Sequence, residues 1–160
     1  MTLVIDVARV TEAIRPAGPD DAADLVAMHE RCSRGTRFRR WHGHTNVFPQ
    51  RYLHAVLTGA DGHVALVARR GRRLVGLASA AVVAPGVREL GILVEDEWQH
   101  RGIGGELLTG LLAEIRRCGG YRVRADILVE DAGLLAPLAG LGTMTTRRSF
   151  GVITAVVDLH

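Results

Sequence analysis

The chain has 160 residues, about the length of one domain, and we expect residues 1–160 to form a single domain with a substantial core. Apolar residues make up 48% of the sequence, which excludes an intrinsically disordered chain. No apolar run is long enough to span a bilayer, and the opening segment MTLVIDVARV lacks the basic start of a secretion signal. These features predict a soluble, cytoplasmic protein.

The net charge is +3, and all 20 residues counted as lysine or arginine are arginines. The lack of lysine excludes a Walker-type phosphate-binding loop and an enzyme that forms a Schiff base. Cys32 and Cys118 form no CxxC pair, so neither a disulfide framework nor a redox motif is expected. His29 lies close to Cys32 in the sequence, but these residues are too few for a zinc site, and we predict no metal.

The spacing of apolar residues and of turn residues predicts a succession of helices and strands. In chain order they are a strand over residues 13–15, a helix capped by Asp20 and Asp21 that ends near 31, an irregular segment over 32–51, a short helix over 52–57, strands over 63–68, 74–83 and 87–94, a helix over 102–117, a strand over 121–129, a short helix over 131–139, and strands over 143–150 and 152–159. The 102–117 helix carries one wide apolar stripe, and Gly119-Gly120 ends it. This order predicts an α/β fold in which a mixed sheet carries helices on its faces.

A basic, glycine-rich turn joins the 87–94 strand to the 102–117 helix. It consists of Gln99-His100-Arg101-Gly102-Ile103-Gly104-Gly105. The first N–H groups of a helix have no internal partner, and the helix dipole makes that end positive, so an anion is stabilised there. Glycines let a phosphate approach the backbone, and Arg101 adds a charged fork. The turn is therefore predicted to bind a phosphate or pyrophosphate.

Two other interpretations of this turn stay open. The glycines could simply tighten the connection between strand and helix. A dinucleotide-binding G-x-G-x-x-G fingerprint fits less well, because Leu107 stands where its third glycine belongs.

The run from Gln99 to Gly104 resembles the acetyl-CoA signature Q/R-x-x-G-x-G/A of the GNAT superfamily of N-acyltransferases. From about Ile14 onward the chain resembles the GNAT domains of bacterial protein lysine acetyltransferases. The resemblance implies a mixed, mostly antiparallel sheet flanked by helices, whose central strands splay apart to hold acetyl-CoA. It implies that strand residues contact the pantetheine arm and turn residues the pyrophosphate. The implied cofactor-binding residues are Ile92, Leu93, Val94, Gln99, His100, Arg101, Gly102, Ile103, Gly104, Gly105 and Asp131, which stands near the family's usual asparagine.

N-acetylation needs a base, because an amine is mostly protonated at neutral pH and attacks only in its neutral form. Glu89 is the candidate: it lies five residues before Val94 on the cofactor strand, and many lysine acetyltransferases of this family carry a glutamate there. The alternative is that Glu89 pairs with Arg88 or another arginine on an exposed strand. Leu138 stands where the family usually has a thiolate-protonating tyrosine, so water, or no side chain, is expected to act as the acid.

The segment RCSRGTRFRRWHGHT, residues 31–45, is rich in arginine and contains no acidic residue. By resemblance it forms a wall on the acceptor side, suited to acidic substrate groups. The same arginines with Phe38 and Trp41 could instead bind a nucleic acid, or the two rings could pack in the core, which is the simplest explanation.

These observations together predict an N-acetyltransferase that moves an acetyl group from acetyl-CoA to a primary amine. Glu89 and the arginine-rich segment favour a protein lysine as the acceptor over a small-molecule amine such as an antibiotic. A catalytically silent acetyl-CoA-binding sensor is the other alternative. No nucleic-acid or membrane partner is expected, and a homodimer is left open.

Overall fold

A computed structural model describes residues 14–160, and these form one seven-stranded sheet with five α-helices. The strands are β1 Ile14–Pro16, β2 Val64–Arg70, β3 Arg73–Ala84, β4 Val87–Val94, β5 Arg122–Leu128, β6 Gly142–Ser149 and β7 Val152–Leu159. The helices are α1 Ala22–Arg31, α2 Arg34–Trp41, α3 Gln50–Thr58, α4 Ile103–Arg117 and α5 Leu135–Ala139. The strand order is β1-β2-β3-β4-β5-β7-β6, and every neighbouring pair is antiparallel except β4 and β5. The predicted mixed, mostly antiparallel α/β fold is confirmed.

The two central strands, β4 and β5, run parallel and then separate. Their pairing covers only residues 87–89 of β4 and 122–124 of β5. β4 continues to Val94 and stays paired with β3, so the second half of β4 has an edge that no described strand covers. The crossover between the two strands runs through α4, because parallel strands cannot be joined by a tight turn. The predicted splayed pair of central strands is therefore present.

A layer of apolar side chains lies on each face of the sheet. On one face α4 contributes Ile103, Leu107, Leu111 and Ile115, each at most 1% exposed, which confirms its predicted stripe. Full burial of an aliphatic side chain stabilises a fold by about 1.5–3 kcal/mol. The other face is covered by α1, α2 and α3, and Phe48 is buried in that second core.

One buried carboxylate ties the start of α1 to the edge of the sheet. Asp21 is 1% exposed and accepts hydrogen bonds from Arg15 of β1 at 2.5 Å, from Arg69 of β2 at 3.0 Å and from the Gly18 N–H at 2.9 Å. Burial raises the pKa of Asp21, but these bonds outweigh burial and lower the pKa to about 2. The charged carboxylate is therefore the form that holds this edge together.

Most predicted elements lie within two residues of the observed ones, and β4 and β7 have their predicted bounds. The prediction of an irregular segment over 32–51 is wrong, because α2 lies within it. Ser33 caps this helix by accepting from the Thr36 N–H at 3.1 Å, and Asp96 accepts from the Ser33 N–H at 2.8 Å. The arginines that follow are good helix formers. The helix was missed because Asp96, which supports its cap, is distant in the sequence and so forms no part of the local pattern.

The region 131–139 also differs from the predicted helix. A 3-10 segment covers Val129–Leu134, and α5 begins only at Leu135. Pro137 lies in the first turn of α5, where its missing N–H removes no helical hydrogen bond.

The N-terminal segment, including Ala13 of the first predicted strand, lies outside the described residues. Within residues 14–160, no helix has the length and apolar content needed to cross a membrane.

Candidate active site

The glycine-rich turn lies at the N-terminus of α4, as the sequence predicted. His100 and Gly102 both adopt left-handed backbone angles, with φ of 59° and 84°, so the chain reverses sharply before the helix begins at Ile103. The first helical hydrogen bond runs from the Glu106 N–H to the Gly102 carbonyl at 3.0 Å. The amides of residues 102–105 are therefore the donors that this helix end offers to a ligand.

Only one of the three glycines in the turn is required by its own backbone. Gly102 has a positive φ, whereas Gly104 and Gly105 do not. A Cβ atom added to Gly104 or Gly105 would have no neighbouring atom within 4 Å, so neither glycine makes room for another part of the chain. The space above them adjoins the helix dipole and its unpaired amides, which suits a phosphate lying directly on the backbone. A tight turn alone explains only Gly102.

The polar side chains of the turn have different surroundings. Arg101 is exposed, and its guanidinium stacks 5.0 Å from the centroid of the Trp98 ring, an arrangement that keeps its N–H donors available to an anion. Gln99 is turned inward, where its amide donates to the Val94 carbonyl at 3.0 Å and to the Thr36 hydroxyl at 3.1 Å. Gln99 thus links the cofactor strand to α2, and its predicted contact with the cofactor stays a prediction.

The uncovered edge of β4 presents backbone groups to the cleft. Glu95 donates its N–H to Val75 of β3 at 2.9 Å, and successive residues of a strand alternate between its two sides. The N–H and C=O groups of Ile92 and Val94 therefore face away from β3, toward the gap left by β5. The Leu93 backbone faces β3, and its side chain is buried in the second core. Ile92, through its N–H and C=O, and Val94, through its N–H, thus have backbone groups available to a cofactor, whereas the Val94 carbonyl already accepts from Gln99.

A pocket of about 290 Å³ lies between the sheet and the helices α2 and α3, over β3 and over the part of β4 where its pairing with β5 ends. Glu89, the last residue of β4 that pairs with β5, lines it. In the described chain no residue forms a hydrogen bond or ion pair with the Glu89 carboxylate. Arg88, its alternative partner, is buried and donates to the Gly62 carbonyl at 2.5 Å, while Arg124, opposite Glu89 on β5, bonds to Asp126. Glu89 therefore lies in the pocket as an unpaired carboxylate.

Four further polar residues line this pocket. Arg40 belongs to the arginine-rich segment that was predicted to form the acceptor-side wall, whereas Tyr52, His63 and Ser79 were not predicted from the sequence. The Tyr52 and Ser79 hydroxyls are in hydrogen-bond contact, and burial raises the pKa of Tyr52. Burial, together with the charges of Arg40 and Arg88, lowers the pKa of His63, whose Nε2 is buried without a partner in the described structure. These residues come from separate elements, so no local motif connects them.

The aromatic rings of the arginine-rich segment are used within the fold. Trp41 packs against Phe48 and Tyr52, and its indole N–H donates to His29 at 3.0 Å. Phe38 packs against the His44 ring, with their centroids 5.5 Å apart. These intramolecular contacts favour the simplest interpretation of the two rings, that they pack against other side chains of the domain.

Comparison with known proteins assigns this architecture. The chain matches the acetyltransferase (GNAT) family over residues 25–136. It belongs to this family. It is 27% identical over 152 residues to acetyltransferase Pat from Mycolicibacterium smegmatis, and the match covers 91% of this chain but only 45% of that protein. The chain thus spans less than half of the length of that curated relative.

Solved GNAT structures share the fold over nearly the whole chain. The GNAT domain of S. lividans PAT is 25% identical, with a TM-score of 0.80 and coverage of 91% of this chain and 89% of that one. The putative acetyltransferase yncA from Salmonella typhimurium, solved with its cofactor acetyl-CoA, is 21% identical, with a TM-score of 0.73 and coverage of 92% and 93%. At the level of the family, the predicted enzyme class and the predicted co-substrate, acetyl-CoA, are confirmed.

Two further residues that the sequence singled out, Leu138 and Asp131, make contacts within the fold. Leu138 is 6% exposed and packs in the core with residues of α4, and its predicted equivalence to the family's usual tyrosine stays a prediction. Asp131 forms an ion pair with Arg39 at 3.8 Å, which joins the segment after β5 to α2. Its predicted contact with the cofactor stays a prediction. Within residues 14–160 no group of three or more histidine, cysteine or acidic side chains is placed to hold a metal ion.

Proposed function

We propose that this GNAT protein transfers the acetyl group of acetyl-CoA to a primary amine, with Glu89 as the general base. The observation that carries the proposal is the Glu89 carboxylate, which has no partner within residues 14–160 and lines a pocket beside the point where the pairing of β4 with β5 ends. A base at this point is next to the edge of β4 that presents free backbone groups. It is also on the strand that leads directly into the phosphate-suited turn.

Acetyl-CoA fits the cleft by the chemistry of its parts. Its pyrophosphate suits the amides of residues 102–105, with Arg101 as a charged donor beside them. Its pantetheine arm contains amides, which can pair with the backbone of Ile92 and Val94 in the way an added strand pairs with a sheet edge. This orientation brings the thioester end of the molecule toward the Glu89 pocket.

Bound acetyl-CoA supplies an activated acetyl thioester. Glu89 accepts a proton from the acceptor ammonium, directly or through water, and so leaves a neutral amine that can attack the acetyl carbonyl. A cleft-facing amide of β4 donates to the carbonyl oxygen as negative charge develops there. The amine nitrogen bonds to the acetyl carbon and the C–S bond breaks. The nitrogen, now positively charged, releases its second proton to water to give the amide, and water protonates the departing sulfur.

Two acceptor classes carry a suitable amine, a protein lysine and a free small molecule. The sequence favours the lysine, on the grounds of Glu89 and the arginine-rich segment. Incubation with acetyl-CoA labelled in the acetyl group separates the two classes, because the label enters the protein fraction in one case and the small-molecule fraction in the other. Both outcomes are compatible with Glu89 as the base.

The substitution Glu89→Gln tests the base directly. We expect kcat for amine acetylation to fall by about 100-fold or more at neutral pH. The Kd for acetyl-CoA should stay unchanged, because the amide keeps the size of the side chain and the cofactor is held elsewhere. The matched control is Glu130→Gln, which changes an exposed glutamate after β5 and should keep full activity.

Full turnover by the Glu89→Gln variant would show that the base is another group. If the wild-type chain binds acetyl-CoA but acetylates no amine, the chain is an acetyl-CoA sensor instead.

A further inference from the structure

Arg40 lies in a fixed position in the Glu89 pocket. It belongs to α2, and its guanidinium carbon lies 4.1 Å from the centroid of the Trp41 ring and 4.8 Å from that of Tyr52. The same guanidinium packs against the backbone of Gly91 on β4, where any Cβ atom would collide with it. Two aromatic faces and a glycine thus hold the cation on the floor of the pocket.

No acidic residue of the described chain neutralises Arg40. Its neighbours on α2 are engaged elsewhere, because Arg39 pairs with Asp131 and Arg37 donates to the His29 carbonyl. Charges removed from water usually have a counter-charge, but Arg40 has a hydrogen bond to Tyr52 and no acidic partner within residues 14–160. A ligand that carries an anion would supply the missing counter-charge.

The second unpaired charge in the pocket is Glu89. Gly91, under the Arg40 guanidinium, is two residues further along β4, so the two positions lie on the same face of the strand, roughly 7 Å apart. Glu89 and Arg40 do not form an ion pair with each other. The pocket therefore offers a negative and a positive group side by side, an arrangement complementary to a zwitterion.

We propose that the acceptor is a small-molecule aminocarboxylate of the free amino acid class, whose amine lies at Glu89 and whose carboxylate is bound by Arg40. This inference rests on the proposed function and narrows its acceptor from any primary amine to one that carries an adjacent carboxylate.

The charges explain why a plain amine is a poorer acceptor. An amine arrives as an ammonium ion, and the positive charge of Arg40 opposes its entry. A carboxylate on the same molecule removes this penalty, because it accepts two parallel hydrogen bonds from the guanidinium fork. A protein lysine carries no carboxylate of its own beside its amine. The volume of about 290 Å³ also suits a small acceptor, since drug-sized ligands occupy pockets of roughly 300–1,000 Å³.

Matched substrates test the proposal. Each of the common free amino acids is compared with its carboxamide, which keeps the amine and the side chain but removes the negative charge, and release of coenzyme A is measured with a thiol reagent. A peptide with blocked termini and one lysine serves as the protein-like acceptor. We expect kcat/KM for at least one free amino acid to exceed that for its carboxamide and for the peptide by about 10- to 100-fold.

Matched variants identify the group responsible. In Arg40→Met the preference for the free acid should disappear, because kcat/KM falls for the free acid and rises for the carboxamide, while the Kd for acetyl-CoA stays near the wild-type value. Arg40→Lys keeps the charge without the fork and should restore part of the preference. Arg148→Met, which changes an exposed arginine on β6 outside the pocket, is the control and should behave as wild type. Thermal melting of each variant shows whether it is folded.

Three outcomes would overturn the inference. One is equal rates for acids and carboxamides in the wild type, and the second is a preference that survives Arg40→Met. The third is a rise in the rate for every amine in Arg40→Met, which would make Arg40 an obstruction in the pocket. All three leave amine acetylation itself intact, whereas a wild-type chain that acetylates no amine would overturn the proposed function as well.

Discussion

Replacing both Gly104 and Gly105 with alanine should stabilise the fold and weaken acetyl-CoA binding at the same time. Neither glycine has a positive φ, and a Cβ at either position would have no neighbour within 4 Å, so the fold accepts the methyl groups. Replacing a glycine with alanine inside a helix stabilises the folded state by about 0.5–1 kcal/mol, and we take the lower value for positions in the first turn. The pair should therefore add about 1 kcal/mol, which raises Tm by roughly 2–4 °C for a chain of this size.

Acetyl-CoA binding should change in the opposite direction. The added methyl groups occupy the space where a pyrophosphate approaches the amides of residues 102–105, and each hydrogen bond to a charged group that is lost costs about 1.5–3 kcal/mol. We expect the Kd, measured by calorimetry, to rise by about 10- to 100-fold. Gly102→Ala is the contrasting variant, because its φ of 84° predicts a lower Tm. A lower Tm in the double variant, or an unchanged Kd, would refute the reasoning.

Three further predictions concern the scaffold around the site. Asp21→Asn should lower the free energy of unfolding by about 1–2 kcal/mol at pH 7, because the pKa of Asp21 is lowered to about 2 in the folded chain. The effect is held to this size because the partner Arg15 is 43% exposed and solvent screens the pair. In the wild-type chain the stabilisation by Asp21 should disappear as the pH falls from 3.8 toward 2. Burial lowers the pKa of His29, so protonation opposes folding, and the urea midpoint should fall as the pH drops below 6.5; a flat profile between pH 7 and 5 would contradict this. Ser33→Ala removes the cap of α2 and should lower the free energy of unfolding, measured by chemical denaturation, by about 1 kcal/mol. The same variant should raise KM for the acceptor more than KM for acetyl-CoA.

The elements that the sequence predicted well are those whose stability is local. The apolar stripe of α4 repeats at helical spacing and ends at a pair of glycines, so its bounds can be read from consecutive residues. β4 lies between a Pro-Gly turn and an acidic loop, and its predicted bounds are those observed. The helix α2 was missed because its cap is held by Asp96, some sixty positions further along the chain.

In the candidate site, too, the features built from consecutive residues were predicted and those built from distant residues were not. The glycine-rich turn was predicted because its donors, its arginine and its glycines are contiguous, and the chemistry of a helix N-terminus depends on little else. Glu89 was predicted from its place on the strand. The pocket around it was missed, because Arg40, Tyr52 and His63 become neighbours only when α2 and α3 pack on the sheet. The unpaired state of Arg40 depends on where every acidic residue lies, which no spacing in the sequence reports.

The central claim is that the turn and the uncovered edge of β4 form an acetyl-CoA site. The most direct test is a calorimetric titration of the wild-type chain with acetyl-CoA beside an identical titration with NAD. We expect saturable binding of acetyl-CoA and no binding of NAD. A folded chain that does not bind acetyl-CoA, or that binds NAD more tightly, would contradict the claim.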